Sequence, residues 1–96
     1  MVTNQKGFAD VTVQAVWIKA TPIAGYDPNV WRLDCCGAVL FRNDYGNIDS
    51  VYGWEIDHII AVSRGGSGNL ANLQPLQWEN NKAKGDGPLI CIRKTL

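Results

Sequence analysis

Apolar positions along this chain come in short runs separated by turn residues, which predicts several small elements rather than a few long ones. Between Phe8 and Ala20 two periods compete. Val11, Val13, Ala15 and Trp17 alternate as a strand would, whereas Phe8, Val11, Ala15 and Ile18 form a helical stripe. We adopt the helix, started by Asp10 or Thr12. Pro22 and the segment Gly25-Tyr26-Asp27-Pro28-Asn29 mark a turn, and Val30 to Asp34 reads as a short helical turn. Gly37 to Arg42 reads as a strand. The loop Asn43 to Asn47 leads into a second strand that ends at Asp57, so the two are expected to form a hairpin presenting Asp57 and His58. Beyond Ile59-Ile60-Ala61-Val62 lies a turn-rich stretch, Ser63 to Asn69, in which glycines permit positive φ. Leu73 to Trp78 is a second apolar run, and Pro75 within it confines it to an edge or irregular strand because proline cannot donate to a ladder. Glu79 to Lys84 reads as a short helix, stopped by Gly85 and Gly87 with Pro88 beyond. The order is strand, loop, strand, helix, an α+β class.

Length limits what such elements can build. Ninety-six residues make one small core, and a domain of this size buries only about two thirds of its unfolded surface. Trp17, Trp31, Trp54 and Trp78 are read as core residues, since each large aromatic buries on the order of 200 Å². No apolar run approaches the roughly 18 to 20 residues that span a bilayer, and the start Met-Val-Thr-Asn-Gln-Lys lacks the layout of a secretory signal. Three cysteines, Cys35, Cys36 and Cys91, give no disulfide framework and fit a reducing compartment. The expectation is a soluble, cytoplasmic protein with no membrane association.

Charge complicates any role with nucleic acid. The formal net charge is +0, whereas proteins that hold DNA through many phosphate contacts carry a basic excess. Lys82, Lys84, Arg93 and Lys94 outnumber Glu79 and Asp86 near the C-terminus, which predicts weak, local binding there. Tight recognition would need a protein partner or a homodimer.

The chemistry gathers in the second half. His58 is the chain's one histidine, and an imidazole titrating near neutral pH can take a proton from water. Asp57 offers a hard anionic oxygen and Asn81 a neutral carbonyl oxygen, a pairing that suits Mg²⁺ or Mn²⁺ held by few protein ligands. Lys84, one helical turn after Asn81, shares its face and could meet a phosphate oxygen. Adjacent strand residues point to opposite faces, so Asp57 and His58 can share a site only if the strand ends there.

These residues resemble the HNH endonuclease family. The segment WEIDHIIAVSRGGSGNLANLQPLQWENNKAKGD looks like the family motif: an Asp-His pair ending a strand, a Gly-Gly loop, Asn-Leu-Gln before a second strand, and Asn-x-x-Lys on a helix. The likeness covers roughly residues 52 to 86. It implies the small ββα-metal (HNH) fold with an N-terminal helical or strand extension: residues 1–50 as extension and first hairpin strand, 51–86 as the motif, 87–96 as a tail, all in one domain. It also implies a metal-dependent endonuclease acting on DNA. His58 would be the general base, Asp57 and Asn81 the Mg²⁺ (or Mn²⁺) ligands, and Asn72 the residue that fastens the loop and holds the histidine. Lys84 and Arg64 are candidate substrate contacts. Arg64 is otherwise a solvated loop charge, and Gly65-Gly66 is equally a plain turn. Many relatives carry Cys-x-x-Cys pairs around a structural zinc. This chain has none, and Asn80 stands where those relatives have a cysteine, so no structural zinc is expected and packing is expected to hold the core. Two alternatives stand beside the nuclease: a non-catalytic DNA-binding or assembly module of the same shape, and an RNase on the same scaffold.

Overall fold

The computed structural model of the chain describes residues 4–95. A 3₁₀ turn at Asn4–Gly7 precedes helix α1, Asp10–Trp17, which starts at Asp10 as expected and places that carboxylate in its first turn, where the helix dipole favours it. The helical period wins over the alternating one, but on a different stripe. Val11 and Ile18 are exposed, and Val13, Val16 and Trp17 go inward instead. Their i, i+3, i+4 spacing is also helical, and it takes the largest side chain of the segment out of water.

Strands β1 (Thr21–Pro22), β2 (Trp31–Leu33) and β3 (Val39–Phe41) form an antiparallel sheet in that order. The expected helical turn at Val30 to Asp34 is therefore a strand. Its middle residues pair on both sides, Leu33 with Thr21 and with Val39, and Trp31 lies against Phe41 at 4.9 Å between ring centroids. Aromatic cross-strand packing of this kind outweighs a weak local preference.

Strands β4 (Trp54–His58) and β5 (Leu73–Gln77) form a second antiparallel pair, and helix α2, Trp78–Lys84, follows β5 directly. The expected hairpin between β3 and β4 does not form. The intervening chain curls instead into a 3₁₀ turn at Arg42–Asp44 and a loop fastened by Ser50 Oγ donating to Asp44 at 2.6 Å. Gly53 ends that loop so close to Asn47 that a Cβ would lie 1.7 Å from its carbonyl oxygen. With β3 turned away, β4 pairs with β5. Pro75 sits opposite Ile56, and Ile56 directs its N–H and C=O to the side-chain amide of Gln5, at 2.6 and 3.2 Å. Ile56 and Pro75 thus form a non-hydrogen-bonded pair, where a missing N–H costs the ladder nothing.

The core lies between α1 and the β4–β5 pair, with Leu40 added from β3. Trp17 and Trp54 are fully buried and 5.2 Å apart. No helix among the described residues is long and apolar enough to cross a membrane.

Packing is not the sole restraint on this core. Cys36 and Cys91 form a disulfide, with Cα atoms 5.5 Å apart. This corrects the reading of the cysteines as unpaired, and with it the argument from cysteine count for a reducing compartment. The C-terminal segment from Cys91 on is likewise tied to the body. Asn80, fully buried, accepts from Ile92 N and Arg93 N at 2.9 and 2.8 Å and donates to Arg93 O at 3.0 Å. Thr95 N donates to Gly37 O at 2.9 Å. Because the disulfide spans 55 residues, the loop-closure relation gives it about 4 kcal/mol of stabilisation. Urea denaturation with and without a reducing agent, and of Cys36→Ser, should show a loss of that order; superimposable curves would refute it.

Candidate functional site

The site is built where β4 stops. Strand alternation turns Glu55 and Asp57 toward α2 and Trp54 and Ile56 toward the core, and His58 follows the core side, its ring 6.2 Å from Phe8. Since His58 is the last residue of the strand, the chain opens there, and Asp57 and His58 both line a single cleft of about 350 Å³. Asn81 reaches the same cleft from the middle of α2, and Ser63, Gly85 and Asp86 close its far side.

Helix α2 is pinned before it meets the strand. Gln77 caps it, its side-chain oxygen accepting from Glu79 N and Asn80 N. Asp34 receives Gln77 N at 2.9 Å and Asn80 Nδ2 at 3.1 Å. From that anchor, two residues three apart on the helix meet two residues two apart on the strand: Asn81 with Glu55, and Lys84 with Asp57.

Asp57 is buried and held from both sides. Lys84 Nζ lies 3.2 Å from one carboxylate oxygen, and Gln74 Nε2 donates to the other at 2.9 Å. Lys84 also donates to the carbonyl of His58 at 2.9 Å. Lys84, expected as a substrate contact, is engaged here with Asp57 and the His58 carbonyl. Its side chain is 3% exposed, and a buried amine gains more from a carboxylate already beside it than from reaching into solvent. Arg64, in the 3₁₀ turn Val62–Arg64, is exposed and is not among the cleft-lining residues.

Asn72 lies outside the cleft. Its Nδ2 donates to Ile60 O and Ser67 O at 3.0 and 2.7 Å, its Oδ1 accepts from Ile60 N at 2.9 Å, and its own carbonyl accepts from Ile59 N at 2.7 Å. These bonds close the loop that follows His58. The two loop glycines have backbone reasons. Gly65 has φ 88°, and a Cβ on Gly66 would fall 1.7 Å from Ile60 O.

Three groups near the site were given no role from the sequence. Glu55, two residues before Asp57 and so on the same strand face, donates nothing but accepts Asn81 Nδ2 at 2.9 Å; the period-2 pattern was the available signal. Gln74 stands opposite Asp57 in the β4–β5 register. Tyr45 donates its hydroxyl to Gln5 O at 2.9 Å, and burial, followed by the Glu55 carboxylate, pushes its pKa up to about 12.

The donor set suits a hard cation. Among the described residues no three of His, Cys, Asp and Glu gather as a metal-holding group, so a cation here would rest on Asp57, the Asn81 carbonyl and water, as Mg²⁺ accepts. Asp57 retains capacity, because a carboxylate has about four lone-pair positions and two are in use. Glu55 Oε2, behind Asn81, is buried without a hydrogen-bond partner.

Comparison with known proteins gives a result of the same kind. The family model of the HNH endonuclease matches residues 35–87, more than half of the chain and some way upstream of the motif segment. No curated protein and no solved structure is significantly similar. The matched span runs from the turn before β3 through β4, β5 and α2, and so takes in every residue that lines the cleft; this chain belongs to the HNH endonuclease family.

Proposed function

We propose that the protein is a metal-dependent endonuclease hydrolysing phosphodiester bonds in DNA at the cleft between β4 and α2. The observation that carries this reading is that Asp57, His58 and Asn81, a carboxylate, an imidazole and an amide from two elements, line one cleft. Asp57 and Asp86 would repel a phosphate by themselves, and Lys84, a cation buried beside them, is committed to Asp57. A phosphate therefore needs a further positive charge to enter.

His58 takes a proton from a water molecule, whose oxygen forms the new bond to phosphorus as the bond to the 3′ oxygen breaks. The products are a 5′-phosphate and a 3′-hydroxyl, the latter protonated from solvent. Asp57 and Asn81 would hold Mg²⁺ or Mn²⁺, which supplies Lewis-acid stabilisation of charge on the phosphate and the leaving oxygen. Lys84 and Gln74 keep Asp57 fixed, and Asn72 keeps the loop after His58 closed, so the base and the carboxylate stay aligned without reorganising. With a formal net charge of +0, long-range attraction to DNA is weak, and a second copy or a protein partner would supply grip on the duplex.

Three measurements test this. His58→Ala should lower cleavage of supercoiled plasmid by roughly 10²- to 10⁴-fold while leaving the melting curve unchanged; parental rates would remove the histidine from the mechanism, and RNA cut in preference to DNA would transfer the reading to an RNase. EDTA should abolish cleavage, and Mg²⁺ or Mn²⁺ should restore it with no loss of circular dichroism, since the chain has no Cys-x-x-Cys pair from which chelation would strip a structural metal. Asn72→Ala should behave differently, losing roughly 2–4 kcal/mol of stability with its three side-chain hydrogen bonds as well as activity. A variant as stable as the parent would deny the loop that fastening.

A further inference from the structure

We infer that Glu55 is a positioning residue for Asn81, holding its side-chain amide so that the carbonyl oxygen is offered to the cleft. The inference rests on the metal-site reading of that cleft. An asparagine amide has a donor end and an acceptor end, and only the acceptor end can ligate a cation. In this structure the donor end is taken: Asn81 Nδ2 donates to Glu55 Oε1 at 2.9 Å. Glu55 lies behind Asn81 and is not among the residues lining the cleft, whereas Asn81 is. With Nδ2 drawn back to the strand, Oδ1 is the end left for the open side.

Other duties for this carboxylate fail on the neighbouring contacts. Lys84, the buried cation close by, goes to Asp57. Tyr45, whose environment Glu55 influences, gives its hydroxyl to Gln5 O. Among the described residues the carboxylate has Asn81 as its hydrogen-bond partner, and its other oxygen is the buried side-chain polar atom left with none. A carboxylate 6% exposed with an orphaned oxygen is costly to fold around, and an apolar side chain of similar size would remove that cost. Among the described residues no other contact gives this carboxylate a task; control of Asn81 does. Partners behind a ligand commonly govern affinity in this way.

The test uses the full chain with Mn²⁺ alone as the probe, its binding read by electron paramagnetic resonance, beside the Asn81 side-chain amide signals in ¹H–¹⁵N spectra of the metal-free protein. In Glu55→Leu the two Asn81 amide protons should move toward positions typical of a solvated amide, and Mn²⁺ binding should weaken roughly 10- to 100-fold. Glu55→Gln, which keeps an acceptor, should restore most of both. In an Asn81→Ala background Glu55→Leu should weaken binding no further. Unchanged Asn81 signals in Glu55→Leu would overturn the inference, as would an equal loss of affinity with and without Asn81. A parent protein that binds no Mn²⁺ while its Asn81 signals respond to Glu55→Leu would overturn the metal reading of the cleft, not the hold of Glu55 on the amide.

Discussion

The Asp34 carboxylate joins the turn into β3 to the start of α2, two parts of the chain that no strand ladder connects. One oxygen accepts from Cys36 N and Ala38 N, closing the turn into β3; the other accepts from Gln77 N and Asn80 Nδ2, fixing the start of α2. Asn80 passes the restraint on to Ile92 and Arg93. Both side chains are buried, so every lone pair and proton left unmet would cost far more than a hydrogen bond gained in water. A helix of 7 residues is too short to hold itself together, and its direction, hence the placement of Asn81 and Lys84, is set by this node and by the Gln77 cap. The Cys36–Cys91 disulfide lies beside the same turn and secures the C-terminal segment.

On that base the cleft is a meeting of two periodicities. Residues two apart on a strand are about 6.6 Å apart, and residues three apart on a helix rise about 4.5 Å, close enough for long side chains to pair Glu55 with Asn81 and Asp57 with Lys84. The Lys84–Asp57 pair is almost wholly buried, an arrangement that contributes little net stability but is expensive to break by removing one partner. Its value is geometric: it fixes a carboxylate at the lip of an open cleft, where an unrestrained side chain would swing into water.

The groups that line the cleft are thus themselves held from behind by their neighbours. Gln5 satisfies Ile56 on the free edge of β4, Gln74 and Lys84 hold Asp57, Glu55 accepts the Asn81 amide, and Asn72 holds the loop. Much of the polar side-chain content of so small a core goes to orienting other groups.

What the sequence determined by itself is the local pattern: the strand that stops beside His58, the proline-bearing β5, the short α2 with its glycine stop, and the family signature running through them. These follow from periodicity, from proline's missing N–H and from glycine's freedom at positive φ, all properties of neighbouring residues. It left open which face of α1 is buried, because Val11 and Ile18 fit a helical stripe as well as Val13, Val16 and Trp17 do, and only the sheet beneath chooses between them. Only tertiary structure turned Val30 to Asp34 into a strand, parted β3 from β4, and brought Cys36 to Cys91. Lys84 shows the limit most clearly. Its helical spacing from Asn81 was legible, but whether its charge would face phosphate or a buried carboxylate depended on Asp57, 27 positions away in the sequence, being carried beneath the helix by strand pairing. Long-range desolvation and pairing decide such a charge, and no local pattern records them.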